Sequence, residues 1–159
     1  MEFVINEWYL DWHRPDAAPS EQAAARKFLE WLQASEHRLV LLRDSPFIQK
    51  LHDHRRNFDY HPMSRIYLKL FFSQILDNPD RCRILEAPPV LPPDTEALLS
   101  RPLENPLTNY ESDRYLFQSA ETTEAKIIVT TDVKLMKHFE GNGRFQLWSV
   151  EEFWAKFAA

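Results

Sequence analysis

Five short apolar runs limit what this chain can fold into. They are Phe3-Val4-Ile5, Leu39-Val40-Leu41-Leu42, Arg83-Ile84-Leu85, Lys126-Ile127-Ile128-Val129-Thr130 and Phe145-Gln146-Leu147-Trp148. Each has the length of a strand and none that of a helix. Helical patterns stand between them. Ser20 is the expected N-cap of a helix in which Ala25, Phe28, Leu29 and Leu32 recur on one face, ending near Ser35. Asp44-Ser45-Pro46 sets a capping residue before a first-turn proline, which starts a helix with Phe47, Ile48 and Leu51 inward. After the break at His61-Pro62, Met63 to Leu76 is apolar nearly all round and reads as a largely buried helix. Pro88, Pro89, Pro92 and Pro93 impose an extended segment, and Asp94-Thr95-Glu96 caps a short helix through Leu99. Pro102 and Pro106 mark a further loop. Val133 to Glu140 is a helix stopped by Gly141-Asn142-Gly143, and Ser149-x-x-Glu152 is a capping box for a terminal helix. Strands alternating with helices require a parallel sheet covered on both faces. The expected fold is therefore α/β: a three-layer α/β/α sandwich around a central, mostly parallel sheet of four to five strands. At 159 residues it forms a single domain, 1–159.

Composition removes several functions. Two glycines, Gly141 and Gly143, are too few for a phosphate-cradling loop. The single Cys82 excludes an internal disulfide and a multi-cysteine zinc site, and is compatible with a reducing compartment. The first residues lack a basic leader and no apolar run approaches ~18 residues, so a cytoplasmic protein with no membrane span is expected. Net charge is −5, unevenly spread: from Arg43 to Lys69 six Lys or Arg stand against three Asp. Arg55, Arg56, Arg65 and Lys69 in that stretch suit a phosphate-binding patch, or form an ordinary solvated helix face.

The stretch Glu111 to Asp132 speaks to chemistry. Asp113 lies where a helix starts, and Asp132 lies at the carboxyl end of a strand, the edge where open α/β sheets bind ligands. Two carboxylates converging there suit a hard cation, Mg2+ or Mn2+. Each also has a structural reading: Asp132 as cap of the following helix, Asp113 as an acid complementing a helix dipole. His52 and His54, two apart on a helix, do not share a face and read as its polar end. Trp8, Tyr9 and Trp12 either stack on unpaired bases, contact a second protein or pack in the core.

From Asp113 through Ala120 to Ile127-Ile128-Val129-Thr130-Thr131-Asp132, with the two acids nineteen positions apart, the chain resembles the PIN-domain family of metal-dependent ribonucleases, many of them toxins. The resemblance implies an endoribonuclease that hydrolyses RNA phosphodiester bonds with Mg2+ or Mn2+, and an antitoxin-like partner or a homodimer. Asp113 and Asp132 match the family's pattern, and Thr130 would orient Asp132 or touch substrate. Two positions depart from it. The first acid is replaced by Asn6, with Glu7 next to it. The acid after the second strand falls at Gln49 or Lys50, with Asp53 a turn later. Glu7 is the expected substitute, provided the strand bulges or ends by Ile5, and Asn6 a neutral ligand; Lys50 would meet a phosphate directly. The departures also admit another reading, a PIN-like module without catalysis that binds RNA or protein.

Overall fold

The computed structural model describes residues 1–57, 59–102 and 109–157. In chain order its elements are β1 (Glu2–Ile5), α1 (Trp8–Asp11), α2 (Pro19–Ala34), β2 (Arg38–Leu42), α3 (Pro46–Arg56) and α4 (Pro62–Leu70). Helix α4 runs directly into a π-helical segment, Phe71–Leu76. Then come β3 (Cys82–Leu85), α5 (Pro93–Ser100), a 3-10 turn (Glu111–Asp113), α6 (Arg114–Glu121), β4 (Ile127–Val129), α7 (Val133–His138), β5 (Gln146–Trp148) and α8 (Val150–Phe157). The loop expected around Pro106 lies outside the described residues.

All five strands pair in parallel in the order β3-β2-β1-β4-β5, so the fold is the expected α/β sandwich with helices on the sheet. The chain starts at the centre, builds β2 and β3 on one side, then returns to add β4 and β5 on the other. The order reverses between β1 and β4, and at such a reversal the crossovers diverge and open a crevice beyond the carboxyl ends of the strands. Val4 aligns with Ile128 and Ile5 with Val129, and the Asn6 amide donates to the Val129 carbonyl at 3.3 Å. That register brings Asn6-Glu7 and Thr130-Thr131-Asp132 to the same edge of the sheet.

The core is aromatic. Phe28 of α2 is fully buried between Phe3 of β1, Trp8 and Tyr9 of α1, and Phe153 of α8, with ring centroids 5.3–6.3 Å apart. On the other side, Phe117 of α6 stacks on Phe139 at 4.2 Å and meets Phe145 edge-on. Among the described residues, no helix is long and apolar enough to cross a membrane.

Local starts follow the chemistry, with adjustments. Ser45 Oγ accepts from the Ile48 amide, and Ser149 and Glu152 complete their capping box in both directions. Ser20 does not cap α2. Proline lacks an N–H and fits the first helical position, so the helix begins at Pro19, Ala18 takes the N-cap, and the Glu21 carboxylate accepts from the Ala18 amide at 2.9 Å. For the same reason α5 begins at Pro93, one residue before Asp94. Strand β4 is shorter than its apolar run because Lys126 takes φ 50° and turns the chain. Helix α7 ends at His138, before Glu140.

Phe28→Ala removes a ring from the centre of the aromatic layer and is expected to cost about 3–5 kcal/mol of unfolding free energy, measurable by urea denaturation. A loss below about 1 kcal/mol would mean that this layer is loosely packed.

Candidate metal centre

The site is built from three pieces of chain that the sheet order brings together. Strand β1 ends at Ile5, so Glu7 is freed from strand alternation and becomes the N-cap of the four-residue α1. Strand β4 ends at Val129 and delivers Thr130 and Asp132. Helix α6 packs on β1, β2 and β4, and its N-terminus carries Asp113.

A hydrogen-bonded joint fixes the two strand ends. Asn6 Nδ2 donates to Thr130 Oγ1 at 2.8 Å, and the Asp132 amide donates to the same oxygen at 3.0 Å. Asn6 Oδ1 accepts a long bond, 3.4 Å, from the Trp8 amide. Trp8 Nε1 donates to the Val129 carbonyl at 3.1 Å. Both ends of the Asn6 amide are thus engaged, and Asn6 is a strut between β1 and β4. Thr130 is fully buried, so it sets the position of Asp132 through the backbone and cannot touch substrate.

The acids divide the work. Asp132 Oδ1 accepts from the Leu135 amide at 2.9 Å, which is the capping role. Only one of its carboxylate oxygens is needed for that, so capping and ligation are compatible. Asp113 is the N-cap residue of α6 but makes no side-chain capping bond. Burial, followed by the charges of Asp132 and Glu7, pushes its pKa up to about 6. Two flanking tyrosines register the same charges. Tyr110 is raised by burial and by Asp132 and Asp113; Tyr115 is raised far more, by burial and then by Glu7 and Asp113. Neither tyrosine stood out in the sequence. Their spacing around Asp113 was the signal available, and it carries meaning only once Glu7 is known to face them.

A contrast at the opposite edge shows what is special here. Glu2, at the amino end of β1, meets Arg83 in a bidentate pair at 2.9 and 2.6 Å and also Arg38, and these partners hold its carboxyl below the usual range. The charges raising Asp113 are both negative.

Other candidate residues fall elsewhere. Lys50 pairs with Asp11 at 2.8 Å, and Gln49 is exposed. Asp53 lines a separate hollow of about 390 Å3 with His54, Asn57 and Tyr60. His54 is buried with its Nδ1 against the Tyr60 hydroxyl at 2.9 Å, whereas His52 is exposed. Arg55 lies over the Phe72 ring at 4.5 Å, Arg56 and Lys69 are exposed, and Arg65 is half-buried. Trp8 and Tyr9 are buried in the core, so they are not a surface for bases or for a second protein; Trp12 is half-buried against Trp8.

The donor set fits a hard divalent cation, being all oxygen and negatively charged. Among the described residues no three His, Cys, Asp or Glu side chains are gathered as a ready-made cage. Magnesium does not require one: it usually keeps several waters and takes one or two carboxylates plus substrate phosphate.

Comparison with protein-family models, curated proteins and solved structures gives no match.

The raised pKa has a consequence for stability without metal. A carboxyl whose folded pKa, about 6, exceeds its ordinary 3.8 contributes most below pH 3.8 and loses that contribution as pH rises through 6. Asp113→Asn cannot ionise and is expected to stabilise the metal-free protein at pH 7.5 by about 1–2 kcal/mol, allowing for screening at this partly exposed site. The gain should vanish near pH 4. Urea midpoints at the two pH values check this, and unchanged midpoints at pH 7.5 would show that the Asp113 carboxylate is not destabilised by its burial and its acidic neighbours.

Proposed function

We propose that the chain is a PIN-type endoribonuclease that hydrolyses RNA phosphodiester bonds with Mg2+ or Mn2+, held by Asp113 and Asp132 with Glu7. One observation carries this reading: at the sheet edge where the strand order reverses, Asp113 is close enough to Asp132 and Glu7 for their charges to add to the effect of burial in raising its pKa. Carboxylates close enough to raise one another's pKa suit a divalent cation.

Each residue's task follows from its surroundings. Asp132 is held by its cap to Leu135 and by Thr130 behind it, so it offers a fixed oxygen. Asp113, free of a capping bond, offers a carboxylate once it gives up its proton near pH 6. Glu7 stands in for the acid that Asn6 lacks, while Asn6 keeps the two strand ends together. When bound, such an ion lowers the pKa of a water and offsets charge developing on the phosphate. Arg56 and Lys69, both exposed, supply positive charge for the RNA backbone on an otherwise acidic protein.

Purified protein is expected to cleave single-stranded RNA with Mn2+ or Mg2+ and not in EDTA. Asp113→Asn and Asp132→Asn should each lower the rate about 100- to 1000-fold. Asparagine still caps a helix, so the Asp132 variant should keep its fold by circular dichroism. Wild-type protein inert toward RNA with both metals would sink the enzymatic reading.

A second reading is favoured by two side chains. Asn6 is consumed as a strut, and Lys50 occupies an expected acid position paired with Asp11. On that reading the domain binds RNA or a protein without cleavage. Manganese separates the two: an ion at 100 times its Kd raises stability by about 2.7 kcal/mol, so a clear thermal shift favours the metal enzyme and no shift at millimolar Mn2+ favours the binding module.

A further inference from the structure

The turn that carries Glu7 is backed by an unusual side chain. Helix α1 has only four residues, with Glu7 as its N-cap; Asp11 at its end pairs with Lys50 of α3, and the next residues turn through His13. His13 is 1 % exposed, and its ring stands edge-on to Tyr9 at 5.0 Å. Among the described residues, neither His13 ring nitrogen has a hydrogen-bond partner, nor does the buried Tyr9 hydroxyl. Buried polar atoms are nearly always paired, so this cluster is a weak point in an otherwise well-packed layer.

We propose that His13 is an acid-released latch: neutral, it holds the Glu7-bearing turn against the core, and protonated, it leaves. Among the described residues, the charged groups acting on His13 offer an imidazolium no counter-charge. Arg26 of α2 and His54 of α3 face it, and both oppose protonation. On its own turn, Asp11 is taken by Lys50 and Arg14 pairs with Asp16. The remaining groups are phenols: Tyr9 beside it, Tyr60 bonded to His54, and Tyr67 of α4 acting on Tyr9. Asp53 and Lys50 act on His54 with opposite signs. Burial with these charges pushes the His13 pKa down to about 4.

The sign is therefore fixed. A histidine depressed from 6.5 to about 4 stabilises the closed turn fully above pH 6.5 and progressively less as pH falls toward 4. Opening releases Glu7 from Asp113 and Asp132, so acid disassembles the site while the sheet persists. That consequence rests on the proposed metal-centre reading; the latch itself does not.

Amide hydrogen exchange on the metal-free full chain tests it. Protection of the amides of residues 10–14, which close the turn, should fall about tenfold per pH unit between 6.5 and 4 after correction for intrinsic rates. The amides of β4 should not change. In His13→Phe, which fills the space and cannot charge, turn protection should be flat. Should that variant fail to fold, His13→Gln serves the same purpose. A flat wild-type profile, the same slope in either variant, or sheet amides opening in step with the turn each overturns the latch. Because no metal is added, the result stands apart from whether Glu7 ever holds an ion.

Discussion

The pairing of β1 with β4 is the contact on which the rest depends. It joins remote residues, through the Asn6 amide to Val129 and the Asn6 side chain to Thr130, 124 positions away. Parallel pairing requires a crossover, and here everything between the two strands, including β2 and β3, belongs to that crossover. Such a contact pays its loop-closure entropy before any reward. The reward is concentrated at its carboxyl end, where Val129 O receives both the Asn6 amide and the Trp8 indole. The same few atoms therefore complete the sheet and set the spacing of the acids beyond it.

The two edges of the sheet are electrostatic opposites. At the amino edge Glu2 sits between two guanidinium groups, each side satisfying the other. At the carboxyl edge burial, and after it the charges of Asp132 and Glu7, raise the Asp113 pKa to about 6. A fold selected for stability alone would favour the first arrangement at both ends. A raised carboxyl pKa at the strand-order reversal is what motivates the functional proposal for this edge.

Aromatic packing decides what remains for recognition. Trp8, Tyr9 and Phe28 fill the space between β1, α2 and α8, so the aromatics next to the acids serve the core. Part of the positive charge on α3 is engaged internally, since Arg55 covers Phe72 and Lys50 neutralises Asp11, while Arg56 of α3 and Lys69 of α4 are exposed.

Much of this was present in the chain itself. Apolar runs of three to five residues, each followed by a capping residue or proline, dictate strands and helices by local physics, and their alternation dictates a parallel sheet. Ser45-Pro46 and Ser149-x-x-Glu152 act within one turn and behave as their residue types require. Asp113 and Asp132 could be singled out because each follows from a local boundary. What no local pattern contains is distance between remote segments. Tertiary packing brought the charges of Glu7 and Asp132 to bear on Asp113, turned Asn6 into a strut, and gave Lys50 to Asp11. Burial alone withdrew Trp8, Tyr9 and His13 from the surface. The chain determines its elements because capping and periodicity act over a few residues; the tertiary structure decided which charges face each other, because electrostatics and burial act through space.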